Sequence, residues 1–452
     1  MRNRKFTVTL YHIVRTKDRM QTYSYTDTGF YAFVNSLKSY YKRLWNASSG
    51  GFPKLHEHFT PEQQRQKEKE LDCIIAQASS SLANDSTGND PIRFHHIKNI
   101  VRNSLINSVG LFHCTFDEQT QKEFSLSTDD FISEAKKFNP ELSSDDIYQA
   151  LRNVWIVNSI QVYLNQKVAM TPSCFAYSML YPYTDNTLDA PEIDRETKRR
   201  LNQRLALRLA GMPVSITNNL ERDMYKLFEM IEKEFDRATY PHVYESLLAI
   251  HHAQTRSVSQ QSTNRRPSSH ELLDISIEKG GTSVLADGYL IKGDLSAEDA
   301  EFLFGYGVFL QIIDDLQDLQ SDLDDHQTTI IGDASGREFL DEITNRLITF
   351  MYRTLALARR TRFHEQGSLR ELIERSCLIL VLEAIARHHT YYTPDYVSAM
   401  EKYSPVRFEY FRQTKNHLRQ LGNNLPGRQP IPPSVRLSER VLRRVCPGFV
   451  ET

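Results

Sequence analysis

The sequence predicts an all-helical protein, and three observations support this. Apolar residues recur with a helical period in four long segments: 145–166, 240–257, 297–319 and 338–359. Ser296, followed three residues later by Asp299, gives the third segment a start similar to a capping box. Strand patterns are short and few, and the best of them covers residues 5–14.

Length and composition exclude several classes of protein. The 452 residues are 40% hydrophobic and carry a net charge of −2, with Lys and Arg mixed among acidic residues, so we expect one or two domains and no nucleic-acid partner. The five cysteines are widely spaced and form no CxxC pair, which predicts reduced thiols. No apolar run approaches the about 20 residues of a membrane span, and the N-terminus lacks a signal-type segment. These features predict a cytoplasmic protein without a transmembrane segment.

Changes in pattern along the chain predict three parts. Residues 1–140 form a helical N-terminal extension, residues 141–420 a helical domain that carries the motifs described below, and residues 421–452 a proline-rich irregular tail. Polar stretches at 79–91 and 257–270 are predicted to be mobile loops, and the second is either a lid or an unstructured surface loop.

An acidic run follows the apolar part of segment 297–319. Asp314 and Asp318 are four residues apart and share one face of a helix, with Asp315 and Gln311 beside them. Carboxylates this close repel one another, and a divalent cation relieves the repulsion. Carboxylate oxygens are ligands of Mg²⁺, which keeps positions open for a substrate phosphate. The alternative is a solvated acidic helix end.

A second acidic pair lies earlier in the chain. Asp185 and Asp189 are also four residues apart, with Asn186 as a neutral oxygen ligand. Their helix is predicted to begin after Thr171 and to end near Asp189, because Pro191 disfavours helical geometry in the residue before it. Carboxylates at a helix C-terminus cost about 0.3–1 kcal/mol each, and a cation would compensate. The alternative is a polar turn with two surface aspartates.

Together the two clusters resemble the paired aspartate-rich motifs of class I isoprenoid enzymes, that is, isoprenyl diphosphate synthases and class I terpene synthases. The second motif matches at Asp314, Asp315 and Asp318, and the first at Asp185, Asn186 and Asp189. The first motif departs from the family, because Asn186 replaces the usual second aspartate. The resemblance implies a helical bundle with a central active-site cavity and with the two motifs on facing helices.

Two further elements extend the resemblance. Lys279 takes the position of a lysine that binds diphosphate in the family, and Gly280 and Gly281 would give it a loosened backbone. Arg407 and Tyr410 are similar to the late Arg/Tyr element with which terpene synthases contact diphosphate.

The resemblance also implies the cofactor and the role of each residue. Mg²⁺ is expected as cofactor, with three ions bound together with the diphosphate. The implied metal ligands are Asp185, Asn186, Asp189, Asp314, Asp315 and Asp318. The implied catalytic residues are Asp185, Asp189, Asp314, Asp318 and Lys279, and the implied substrate-binding residues are Lys279, Arg407, Tyr410, Tyr181 and Gln311. A homodimer is compatible with the family.

The function implied is that of a terpene synthase, which ionises a linear prenyl diphosphate and cyclises or quenches the carbocation. Chain-elongating relatives need a second diphosphate site, built from Gly-Gly-Lys-Arg and Arg-Arg-Gly elements that this sequence lacks. The aspartate-rich second motif is nevertheless of the elongating type, so a trans-isoprenyl diphosphate synthase is the alternative. An inactive helical binding or scaffold protein is the third hypothesis.

Overall fold

The computed structural model describes residues 28–83, 117–189, 193–261, 267–358 and 367–413. Within these ranges all regular structure is helical and no strand is found, so the all-α prediction is confirmed. The predicted strand at 5–14 and the predicted tail at 421–452 lie outside the described residues. None of the helices in these ranges combines the length and the apolar character that crossing a membrane requires.

The helices are, in chain order, α1 Gly29–Asn46, α2 Pro61–Ala83, α3 Glu118–Phe138, α4 Ser144–Tyr163, α5 Pro172–Asp189, α6 Arg195–Leu209, α7 Asn219–Glu234, α8 Pro241–Ser257, α9 Ser269–Lys292, α10 Ala297–Gln317, α11 Leu319–Asp324, α12 Ile330–Ser335, α13 Asp341–Leu357, α14 Gly367–Arg387 and α15 Pro394–Glu401. Single 3₁₀ turns follow α8 at Val258–Gln261 and α14 at His389–Tyr391.

Most predicted boundaries agree with these helices. The start of α5 is confirmed, since the Thr171 hydroxyl accepts a hydrogen bond from the Cys174 amide at 3.3 Å, and the helix ends at Asp189. Ser296 is the N-cap of α10, as predicted. The predicted loop at 79–91 is wrong for its first five residues, because α2 continues to Ala83; the remainder lies outside the described residues.

The centre of the bundle is the contact between α9 and α10. The α1, α4, α5 and α8 helices pack around α9, and the α12, α13 and α14 helices pack against α10. A β-carbon at Gly280 would collide with the carbonyl oxygen of Gly307, and one at Gly307 with that of Gly280. The backbones therefore touch without an intervening side chain. The loosened backbone expected at Gly280 and Gly281 is wrong, because α9 runs through both positions as a regular helix.

Aromatic side chains fill the space around this contact. Phe304 lies against Gly281 and stacks on Tyr41 of α1, whose ring in turn covers Gly305. The Tyr41 hydroxyl donates to the carbonyl oxygen of Glu301 at 2.8 Å. Helix α1, on the N-terminal side of the predicted boundary at residue 140, thus belongs to the same core, while the domain division itself stays a prediction.

The buried side chain of Asp287 links three helices of the bundle. Asp287 of α9 is 1% exposed and accepts a hydrogen bond from Asn153 of α4 at 3.0 Å. The same amide donates to the Ser178 hydroxyl of α5 at 3.1 Å. The second oxygen of Asp287 has no hydrogen-bond partner, and burial raises the pKa of this carboxyl well above its usual range. Burial therefore favours the protonated form of Asp287 in the folded protein.

We expect Gly280→Ala to lower the unfolding free energy by about 1–3 kcal/mol, because the added methyl group forces α9 and α10 apart. Gly332 of α12 provides the control, since the nearest atom to a β-carbon there is 3.4 Å away. Gly332→Ala should leave stability unchanged or raise it by up to about 1 kcal/mol. Denaturant unfolding measures both, and equal effects of the two substitutions would contradict close packing at Gly280.

Asp287→Asn should change the pH dependence of stability. Above about pH 4 the unfolded chain loses the Asp287 proton, whereas the folded protein retains it, so wild-type stability falls as pH rises, by at most about 1.4 kcal/mol per pH unit. The variant lacks this ionisation. The stability of the variant relative to wild type should therefore increase from pH 5 to pH 8, as denaturant unfolding would show. Asp130→Asn, on the exposed face of α3, is the control, and its plot of unfolding free energy against pH should run parallel to that of wild type.

Candidate functional site

The second acidic motif forms a row of carboxylates at the C-terminal end of α10. Helix α10 ends at Gln317 and α11 begins at Leu319, so the segment predicted as one helix breaks at Asp318. The four-residue hydrogen-bond pattern nevertheless continues: the amide of Asp318 donates to the carbonyl of Asp314, and the amide of Asp322 to that of Asp318, each at 2.9 Å. Asp314, Asp318 and Asp322 thus follow one another at intervals of one turn.

Asp315 has a different environment from its neighbours. It is 5% exposed, and its two carboxylate oxygens accept hydrogen bonds from Ser276 of α9 and from Gln311 of its own helix, each at 2.9 Å. Its oxygens already have partners, so Asp315 joins α9 to the motif. Its predicted role as a metal ligand and that of Gln311 in binding substrate stay predictions, because each of these bonds uses only part of the hydrogen-bonding capacity of the two side chains.

Burial and crowding of acids shift the pKa values in this row. Burial is the largest cause for Asp315, whose pKa rises to about 6, and for Asp322, whose pKa rises to about 8. Repulsion from neighbouring carboxylates raises both further, and the Lys279 ammonium offsets part of the rise. The Lys279 ammonium thus acts electrostatically on Asp315 and Asp322, while its predicted role in binding diphosphate stays a prediction.

An arginine that the sequence pattern did not indicate pairs with the motif. Arg152 of α4 donates from its guanidinium to the Asp314 carboxylate. The side chains of Arg152 and Asp314 are 46% and 29% exposed, so this ion pair lies at the open side of the motif. The next residue, Asn153, is bound to Asp287, which fixes the backbone of α4 at this point.

Helix α9 is also anchored on the side opposite the motif. Glu278, next to Lys279, is 2% exposed and is surrounded by basic side chains of α1 and α8. Its carboxylate pairs with Lys38 at 2.7 Å, with the His252 ring at 3.2 Å and with Arg256. These interactions tie α9 to α1 and α8 at the residue directly before Lys279.

The two adjacent histidines of α8 point in different directions, as helix geometry predicts. His252 faces Glu278 of α9, whereas the Nε2 of His251 lies 2.9 Å from the carbonyl oxygen of Asn202 on α6. Burial lowers the pKa of His251 to about 4. His251 is therefore neutral and donates its Nε2 hydrogen to Asn202, so it is a structural residue.

The first motif lies on the last turn of α5, as the sequence predicts, but its side chains are not among those described. Asp185, Asn186 and Asp189 are on the helix, and Tyr181 is on the preceding turn. Pro182 lies inside the helix and removes one backbone hydrogen bond directly before the motif. The roles predicted for these four residues stay predictions.

Arg407 and Tyr410 bind acidic side chains of α2. The guanidinium of Arg407 contacts both oxygens of Glu68, which is 5% exposed, at 2.6 and 2.9 Å. The Tyr410 hydroxyl donates to Asp72 at 2.8 Å. Both residues thus fix the segment after α15 to α2, and their predicted contact with diphosphate stays a prediction that requires these bonds to break.

The donor set at the second motif suits a hard cation. Among the described residues no group of three or more His, Cys, Asp or Glu side chains is arranged to hold a metal ion by itself. Mg²⁺ in phosphate-handling sites, however, is bound by one or two carboxylates together with phosphate oxygens. Asp314 and Asp318 offer such carboxylates, so the residues present fit an ion shared with a diphosphate.

Two clefts enclosed by described residues lie apart from the second motif. One of about 280 Å³ is formed by α1, α9, α12 and α13, and its charged lining combines Arg337 and Arg346 with Glu338 and Glu342. The other, of about 40 Å³, is mostly apolar and runs along α5 from Tyr177 to Thr184, the residue before Asp185. The second cleft places an apolar surface next to the first motif.

Comparisons with known proteins are sparse. No protein-family model matches the chain, and no curated protein matches it. Among solved structures, a crystal structure of geranylgeranyl pyrophosphate synthase is similar over 79% of this chain and 98% of that chain, at 12% identity and a TM-score of 0.25. A TM-score this low carries no argument about the fold or the function of this chain.

The interaction between Arg407 and Glu68 should contribute to stability. Arg407→Gln leaves a buried carboxylate without its charged partner, and we expect a loss of about 1–3 kcal/mol in unfolding free energy. A double-mutant cycle with Glu68→Gln should give a coupling energy of about 0.5 kcal/mol or more. Additive effects, or an Arg407→Gln variant of unchanged stability that binds pyrophosphate less tightly, would support the diphosphate role instead.

Proposed function

We propose that this protein is an Mg²⁺-dependent enzyme that ionises a prenyl diphosphate. One observation carries the proposal: Asp314, Asp318 and Asp322 follow one another at intervals of one turn where α10 gives way to α11, and Lys279 of the neighbouring helix α9 acts electrostatically on Asp322. Clustered acids near an ammonium group are suited to a site that accepts cations and a polyanion together. The match of both acidic clusters to the paired motifs of class I isoprenoid enzymes supports the same function.

In this proposal each element of the site has a separate task. Bound Mg²⁺ would neutralise the charge that develops on the leaving diphosphate. Asp314 at the end of α10 and Asp318 directly after it would hold the ions on one side, and Asp185 and Asp189 of α5 would hold them on the other. Lys279 donates hydrogen bonds to the diphosphate oxygens and stabilises the leaving group electrostatically. Ser276 and Gln311 keep Asp315 in place, so that the turn bearing the ligands does not shift.

The apolar cleft along α5 is lined by side chains that include Leu180, Leu205 and Leu247, and it lies beside the turn that bears the first motif. Its volume of about 40 Å³ is close to that of a single water molecule, so the cleft does not accommodate a prenyl chain as it stands. In this proposal the helices around the cleft move apart when the hydrocarbon part of the substrate binds.

We propose that the reaction is that of a terpene synthase, in which a single prenyl diphosphate is cyclised or quenched. The absence of the two sequence elements that bind a second diphosphate supports this choice. The aspartate-rich second motif favours a chain-elongating prenyltransferase, which is therefore the second candidate.

A product assay distinguishes the candidates. The full chain is incubated with Mg²⁺ and with geranyl, farnesyl, geranylgeranyl or geranylfarnesyl diphosphate, each with and without isopentenyl diphosphate. We expect hydrocarbons or alcohols without isopentenyl diphosphate, and about a 100-fold or greater loss of their formation in Asp314→Ala. Longer diphosphates that form only when isopentenyl diphosphate is present would establish elongation instead.

Asp324→Ala is the matched control. Asp324 belongs to the same acidic run on α11 but is exposed and accepts a hydrogen bond from Gln320. This variant should keep wild-type activity. If wild type gives no product and Mg²⁺ with pyrophosphate does not raise its melting temperature, the protein is a helical binding or scaffold protein rather than an enzyme.

A further inference from the structure

Arg152 is the charged residue at the motif that neither the sequence pattern nor the proposed mechanism uses. It comes from α4, which carries no part of either motif, and its guanidinium pairs with Asp314. A carboxylate oxygen bound to a guanidinium is less available to a metal ion. In the structure described here, Arg152 therefore occupies part of the coordination capacity that the proposed function assigns to Mg²⁺.

We propose that Arg152 exchanges partners when substrate binds, from the Asp314 carboxylate to the diphosphate. This inference rests on the proposed function. It adds to that function a residue with two roles: Arg152 competes with the metal ion for Asp314 in the free enzyme, and it binds the diphosphate leaving group in the complex. A guanidinium offers several N–H donors in a planar fork, which suits a phosphate group as well as a carboxylate.

The exposure of the pair makes the exchange energetically accessible. Arg152 is 46% and Asp314 29% exposed, and ion pairs in such positions contribute little to stability, so a divalent ion can displace the arginine. The released guanidinium remains next to Asp314. A metal ion shared by Asp314 and the diphosphate would also lie beside Asp314, so the guanidinium is within reach of the diphosphate.

The surroundings confine the change to one side chain. Asn153 is bound to both Asp287 and Ser178, which holds α4 against α9 and α5. The backbone at Arg152 is therefore fixed, and rotation of its side chain is sufficient. Lys279 acts electrostatically on Asp315 and Asp322, whereas Arg152 pairs directly with Asp314.

The exchange predicts two opposite effects of one substitution. In Arg152→Gln, Mg²⁺ alone should bind about two- to fivefold more tightly than in wild type, because its competitor for Asp314 is gone. Inorganic pyrophosphate, at saturating Mg²⁺, should bind about tenfold or more weakly, because a charged hydrogen-bond donor is lost. Calorimetric titration of the full-length protein measures both, and neither readout depends on turnover.

Two further variants complete the test. Arg152→Lys keeps the charge but not the fork, so Mg²⁺ should bind it as it binds wild type, while pyrophosphate affinity should lie between wild type and Arg152→Gln. Arg65 of α2 has a similar exposure of 52% and pairs with Glu62 at 2.9 Å. Arg65→Gln should change neither affinity, which controls for the loss of an ordinary surface ion pair.

Other outcomes overturn the inference. Unchanged Mg²⁺ affinity in Arg152→Gln would show that the arginine does not compete with the metal, and weakening of both affinities would show a supporting structural role. If Arg152→Gln does not fold, wild-type pyrophosphate affinity in Arg152→Lys overturns the exchange. A wild-type protein that binds neither probe would remove the proposed function as well, whereas failure of the opposite shifts alone removes only the exchange.

Discussion

The contact between the backbones of Gly280 and Gly307 is the constraint on which the site depends. Because no side chain separates α9 from α10 at this point, Ser276 can reach Asp315 and Lys279 can reach the row of carboxylates. A wider spacing would leave the buried Asp315 without one of its two donors. The close approach therefore sets both the packing of the core and the position of the candidate ligands.

Charge is balanced across α9 by two sets of interactions. On one side Glu278 is buried among Lys38, His252 and Arg256, and on the other Lys279 faces the acids of α10 and α11. A buried carboxylate is costly unless its partners are well placed, so the first set is sensitive to movement of the helix. In the second set the carboxylates of α10 and α11 still repel one another, so an additional positive charge would stabilise them.

The sequence predicted the helices well, because the signals that determine them are local. Periodicity placed α4, α8, α10 and α13, and the Thr171 cap with the proline after Asp189 gave both ends of α5. The break at Asp318 was missed, since its backbone hydrogen bond to Asp314 keeps the four-residue pattern and composition does not mark it. For the site, spacing placed the acids of the second motif one turn apart, whereas Lys279 was indicated only by the family resemblance and its role stays a prediction.

The sequence by itself determined the type of each element and the side chains that share a helix face, because both follow from the period of a single helix. Only the tertiary structure decided which partner each charged side chain finds. Arg152 and Asp314 are 162 residues apart and Glu68 and Arg407 are 339 apart, and neither pair has a local pattern that signals it. Such pairs form because packing of apolar faces brings distant helices together, and the choice of charged partner follows from that packing.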